Sequence, residues 1–179
     1  MEKVHFITKK LEVSNKWWFA LYAITAAFIT YFSMYAFRKP FSAGTFEDFS
    51  VWGIDYKVFA VFFQLVGYTL SKFFGIKIIA EMKESQRVVG ILVLIGIAWV
   101  ALLLFGITHA PYNLLWLFVN GIPLGMIWGV VYSFLEGRTL TELLGAGLST
   151  SFIVSSGVVK AVGRSLILDF GISEFWMPF

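Results

Sequence analysis

Residues 88–135 read VVGILVLIGIAWVALLLFGITHAPYNLLWLFVNGIPLGMIWGVVYSFL, and no Asp, Glu, Lys or Arg interrupts them. A helix needs about 20 apolar residues to cross a bilayer, so this run is too long for one crossing and suits two. Thr108-His109-Ala110-Pro111-Tyr112-Asn113 supplies the break, because proline and a polar cluster end a helix. The expected spans are 88–107 and 113–135. Working outward, the charge-free run 17–38 opens on Trp17 and Trp18, aromatics that suit a membrane interface. Residues 58–80 and 143–168 are the remaining spans. The chain is therefore read as all-α: a polytopic transmembrane helix bundle of five spans over residues 17–168. Residues 1–16 form a leader and residues 169–179 a tail.

Composition agrees with a membrane solvent. The chain is 59% hydrophobic and 14% charged, its mean hydropathy is +0.80, and soluble domains carry roughly 25% charged residues. The lipid bilayer is the first expected partner. No cysteine is present, which excludes disulfides, thiolate metal sites and cysteine nucleophiles. His5 and His109 alone offer little to a metal, so neither a metal nor another cofactor is expected. No run of Lys or Arg points to nucleic acid. Lys3, Lys9, Lys10 and Lys16 in the leader, Lys83 and Arg87 in the second connector, and Arg138 in the fourth favour a cytoplasmic N-terminus. A bacterial-type plasma (inner) membrane is the expected location.

Small residues recur every fourth position at Gly121, Gly125 and Gly129, and again at Gly147, Ser151 and Ser155. Such ridges let membrane helices approach closely, so the first reading is packing, with flexibility at the first ridge and Pro123 as a second. At the cytoplasmic side Glu81, Lys83, Glu84 and Arg87 oppose Glu136 and Arg138. Ion pairs there would latch a gate; solvated loop charges are the plainer reading.

Cations inside the spans carry the functional argument. Arg38, with Lys39, closes the first span, Lys72 lies within the second, and Lys160 within the fifth; none of these spans contains an acid to pair with them. A charge in a bilayer costs at least a few kcal/mol and marks a site by default. Lys72 and Lys160 have a competing reading as snorkelling side chains, and Arg38 as a flanking anchor. Tyr31, Tyr35 and Arg38 fall at i, i+4 and i+7, on one helix face, with the interfacial belt as the tyrosines' alternative. Guanidinium binds phosphate or carboxylate through two oxygens at once. These residues outline a site for a small anionic substrate. Arg164, one turn beyond Lys160, is expected to pair with Asp169.

Three collinear segments resemble the N-terminal half of major facilitator superfamily transporters, most closely the organophosphate:phosphate antiporters. Tyr35-Ala36-Phe37-Arg38-Lys39-Pro40-Phe41 is similar to that family's Tyr-x-x-Arg-Lys-x-Phe, and Leu70-Ser71-Lys72-Phe73 to its Ser-Lys-Phe. Leu117-Phe118-x-x-Gly121-x-x-x-Gly125-x-x-Trp128, followed by Glu136-Gly137-Arg138, is similar to its fourth helix and exit. The resemblance implies alternating access, a substrate-phosphate ligand at Arg38 and a cavity residue at Lys72. It also implies a twelve-helix whole in which a C-terminal half, missing here, forms the second wall, with the tail leading towards a sixth helix. Ser155 stands where those antiporters carry histidine, and Ile79 where the superfamily's connector carries an acid, which points to a separate branch.

Two other classes stay in view. A membrane-embedded enzyme acting on a charged lipid needs acids, histidines or a nucleophile with its base clustered at one depth, whereas every acid here lies in a loop, tail or helix end. An enzyme is not expected. A non-transporting receptor or assembly protein of the same fold is the alternative.

Overall fold

A computed structural model describes residues 15–136 and 141–179. Arg138 and the cations Lys3, Lys9 and Lys10 lie outside the described residues. The described chain is all-α apart from one short hairpin, with five helices long and apolar enough to cross a membrane. These are α1 (Lys16–Arg38), α2 (Tyr56–Glu81), α3 (Glu84–Ile107), α4 (Leu114–Tyr132) and α5 (Thr141–Leu168).

Local chemistry sets the helix ends. The Asn15 side chain accepts a hydrogen bond from Trp17 N at 3.1 Å and caps α1. α3 starts at Glu84, ahead of the expected residue 88, because its charged first turn is itself helical. There Gln86 Oε1 accepts from Lys83 N at 3.2 Å, and Glu84 lies at the positive end of the helix. α4 stops at Tyr132, short of 135, and gives way to turns through Glu136. Between α1 and α2, a 3-10 turn (Pro40–Ala43) leads to a hairpin of β1 (Ser50–Val51) and β2 (Ile54–Asp55). Its two-residue link, Trp52-Gly53, has φ of 52° and 77°, as a type I′ turn requires.

Helix pairing follows the small residues. α2 packs on α4, α4 also on α3 and α1, and α1 on α5. α4 is the inner helix: 56% of its apolar window is buried, against 22–28% for the other four. Its ridge Gly121, Gly125, Gly129 meets a matching ridge on α2, where Gly67, Ser71 and Gly75 are buried at the same four-residue spacing. A Cβ at Gly121 would fall on the Gln64 carbonyl oxygen and 2.8 Å from the Tyr68 nitrogen; one at Gly67 would fall on the Phe118 carbonyl oxygen. The backbones approach so closely that only hydrogen fits. Gly147 on the second ridge packs instead against the side chain of Ile24 on α1. Ser155 and Ser71 return their hydroxyl protons to carbonyls of their own helices, Ser151 and Tyr68, which keeps these polar ridges satisfied without water.

A buried polar knot ties four helices together. Gln64 Nε2 donates to the Arg38 carbonyl at 2.9 Å and to Asn120 Oδ1 at 2.8 Å. Asn120 Nδ2 donates to the carbonyls of Phe37 at 3.2 Å and Ala98 at 3.0 Å. The last carbonyls of a helix have no intrahelical partner. Here side chains from α2 and α4 supply two of them at the end of α1. The knot lies at the seam between two apolar clusters, one containing Ala98 and Leu124, the other Leu102 and Leu117.

Residues 169–179 fold back over the loop end of the bundle as turns. The Glu174 carboxylate accepts from Thr45 N at 2.6 Å, Thr45 Oγ1 at 3.0 Å and Phe46 N at 2.7 Å. The Phe175 ring lies 5.1–5.8 Å from those of Phe46, Phe49, Tyr56 and Phe105. Asp169 accepts from Ser165 Oγ, and no ion pair joins it to Arg164 among the described residues, which corrects the pairing expected from their spacing.

Two substitutions test this packing. Gly121→Ala forces a methyl into backbone and is expected to lower unfolding stability by about 3 kcal/mol, as overpacking does. Gly96→Ala, with nothing within 4 Å of the added carbon, is expected to leave stability unchanged; denaturant titration of the protein in mixed micelles reads both. Asn120→Leu keeps the branched shape but removes the donor to the Phe37 carbonyl at the end of α1, while the Ala98 carbonyl keeps its place in the ladder of α3. At about 1–3 kcal/mol for a buried orphan, it is expected to cost about that much in the same titration.

Candidate functional site

The knot fixes Arg38 by its backbone and leaves its side chain free to act. Arg38 ends α1, where the negative end of the helix favours a cation. Its guanidinium carbon lies 3.9 Å from the ring centroid of Tyr68 on α2 and 5.4 Å from that of Tyr35. Arg38 Nη1 donates to the Tyr35 hydroxyl at 3.3 Å. Its Nε is buried and has no hydrogen-bond partner. A buried guanidinium nitrogen without an acceptor is costly, and the Arg87 Nε at the other end of the bundle is left in the same state.

Aromatic rings build the wall behind it. Tyr31 and Tyr35 are both buried, with ring centroids 5.4 Å apart, and Phe152 of α5 lies 4.8 Å from Tyr31. The face predicted from the i, i+4, i+7 spacing thus turns inward, towards α5. Lys72, one turn beyond Tyr68, places its ammonium 4.8 Å from the same ring. Tyr68 is therefore shared by two cations, a favourable use of the electron-rich face of a ring.

Lys39 and Lys160 extend the positive region. Lys39 follows α1 directly and is partly buried. Its ammonium is held below the usual lysine range, first by burial, then by the charge of Arg38, then by that of Lys160 across on α5. All three influences oppose the cation, and no carboxylate is among them. Lys72 and Lys160 are themselves exposed on the flank of the bundle.

The sequence-derived candidates therefore fall into groups. Arg38, Tyr35, Tyr31 and Lys72 gather around Tyr68, and Lys160 joins through Lys39. Gly121, Gly125 and Gly129 lie in the α2–α4 contact, away from the cations. Arg87 sits at the other end of the bundle, where its Nη1 donates to the Ser133 carbonyl at 3.0 Å and its guanidinium lies 5.6 Å from the Phe134 ring. Glu136 is exposed, and among the described residues no ion pair joins it to Arg87. Arg87 thus caps the end of α4, which fits the plainer reading of these charges as loop residues; Arg138, the other cation of a latch, lies outside the described residues.

Sequence reasoning underrated Tyr68 and Lys39. Gln64, Tyr68 and Lys72 fall at i, i+4 and i+8, a stripe that links the knot to the cation site. Lys39 was hidden by its neighbour, because a basic pair at a span's end reads as an anchor.

No curated protein and no solved structure matches the chain. A family model described as a family of unknown function (DUF5690) matches residues 40–179. The match includes Lys72 and Lys160 and begins just after Arg38 and Lys39. The chain belongs to the DUF5690 family.

Proposed function

We propose that this protein is a secondary transporter of major facilitator type, which moves a small organic anion across a bacterial-type plasma membrane by alternating access. The observation that carries the reading is the buried Arg38 Nε without a partner, beside cations that no acid pairs with among the described residues. Arg38 binds the anion. Lys72 and Lys160 add positive field, and Tyr31, Tyr35 and Tyr68 hold the guanidinium and shape the wall. A phosphate ester exchanged for inorganic phosphate suits the fork of donors on Arg38.

The flank position of Lys72 and Lys160 fits a cavity shared with a second wall, the role that the other half of a transporter plays in the resemblance. The small-residue ridges keep α2 and α4 moving as one body, and the rigid knot carries Arg38 with them. Arg87 and its cap on α4 lie on the cytoplasmic side, with the N-terminus, and the Glu174 clamp on the opposite side.

The test is uptake of labelled phosphate by liposomes that contain the protein together with the half that supplies the second wall, loaded with phosphate or a simple phosphate ester. Counterflow is expected, and Arg38→Ala is expected to lower it by about 10- to 150-fold, the equivalent of 1.5–3 kcal/mol for hydrogen bonds to a charged group. Arg38→Lys is expected to recover only part of the loss, because an ammonium lacks the fork. Unchanged uptake in Arg38→Ala overturns the assignment of that residue. Tight anion binding with no flux favours a receptor of the same fold.

A further inference from the structure

Residues 169–179 leave α5 and lie across the loop end of the bundle, yet little ties them down. Gly171 turns the chain back with φ of 66° and open space where a side chain would stand. Gly171, Ile172 and Ser173 are exposed. Beyond Ile172, every hydrogen bond between this strap and the rest of the described residues ends on the Glu174 carboxylate. The other contacts are side chains laid on the surface below. Phe175 enters the cluster of Phe46, Phe49, Tyr56 and Phe105. Trp176 lies on Gly106 of α3, Met177 on Gly163 of α5, and Phe179 stacks on Trp99 with centroids 5.3 Å apart.

The residues that receive Glu174 are shaped for an anion and strained in holding one. Phe46 has φ of 55°, a left-handed conformation that an aromatic residue adopts only at a cost. Its N–H and that of Thr45 converge on one carboxylate, the arrangement of a backbone nest. Among the described residues these two donors have no other acceptor. Beside the Phe175 ring, Tyr56 donates to Asn113 Oδ1 at 2.7 Å, while the Asn113 Nδ2 is buried without a partner. Withdrawal of the carboxylate removes the anion that holds Phe46 in this conformation, and water reaching Asn113 satisfies its amide. Both lower the cost of an open state.

We propose that residues 169–179 are a hinged lid: the strap swings out about Gly171 as one unit, with Glu174 as its catch on the Thr45–Phe46 nest, while the helices stay packed. A hinge of this kind needs only a few residues that absorb the backbone change, and Gly171 is free to do so. The lid bears on the rest of the protein by a short path. Thr45 and Phe46 follow the 3-10 turn Pro40–Ala43, which leaves α1 at Arg38 and Lys39. A closed lid fixes this connector and covers the aromatic cluster at the start of α2. An open lid frees the connector and uncovers the rings. The proposal is independent of what the bundle binds.

Hydrogen exchange of the Thr45 and Phe46 amides in mixed micelles reads the catch directly, because these protons exchange only when Glu174 has left. In the native protein at rising, sub-denaturing urea, their exchange is expected to change little, as for a local opening that exposes little surface. Glu174→Gln keeps the shape but loses the charge, and is expected to speed the exchange by about 10- to 150-fold, the factor for hydrogen bonds to a charged group. Met177→Cys supplies a second reporter, since Met177 is buried and the chain has no cysteine of its own. Within that variant, thiol labelling and amide exchange are expected to give the same open fraction. Exchange in the native protein that rises with urea as steeply as unfolding of the bundle makes the strap part of the core and overturns the lid. Unchanged exchange in Glu174→Gln overturns the catch, and open fractions that disagree overturn the movement as one unit.

Discussion

The hydrogen bonds from Gln64 and Asn120 to the end of α1 are the constraint on which the rest of the site depends. A helix end buried against neighbouring helices leaves carbonyls that have no intrahelical partner and no water to satisfy them. The protein meets this demand with two amide side chains, one from α2 and one from α4. Asn120 also reaches α3 through the Ala98 carbonyl. One knot therefore sets the height and rotation of α1 against three other helices. Arg38, the last residue of that helix, has its guanidinium placed as a consequence.

Close packing makes the knot possible. Lipid tails are as apolar as leucine, so helices in a bilayer gain little by burying hydrophobic surface against one another and rely on contact and hydrogen bonding. The glycines of α2 and α4 bring the two backbones together at the level of Gln64 and Tyr68. Bulkier residues there would push Asn120 out of reach of its acceptors. The same approach brings the Tyr68 ring beneath the Arg38 guanidinium. Packing, polar satisfaction and cation placement are thus one arrangement. The Glu174 clamp acts separately, at the loop end, where a carboxylate gathers two backbone donors and a hydroxyl from Thr45 and Phe46.

The spans were legible because charge is so sparse: the uninterrupted run 88–135 admits no other arrangement of two helices around Pro111. Helix ends were less so. Glu84 to Arg87 look like a loop by charge, yet a helix that emerges from a bilayer carries charged residues on its first turn. The ridge on α4 is plain in the sequence; its partner on α2, Gly67, Ser71 and Gly75, keeps the same spacing but is broken up by Tyr68 and Lys72 between its members. Which helix meets which was not readable, because a small-residue ridge carries no address. Glu174 was silent for a similar reason: its acceptor role depends on backbone groups 128 and 129 residues away. The shared face of Tyr31, Tyr35 and Arg38 was legible because it is a local pattern. The burial of Tyr31 and Tyr35 against Phe152 was not, because it depends on the packing of α5 on α1.

The central claim is that Arg38 is held ready for an anion with its Nε open. Nitrogen-15 NMR of the arginine Nε–H groups observes that atom directly, and the chain has only four arginines, at positions 38, 87, 138 and 164. The Arg38 signal, identified by its loss in Arg38→Lys, is expected to shift on addition of methyl phosphate while the Arg87 signal stays in place. An Arg38 signal that does not respond at saturating methyl phosphate would contradict the account.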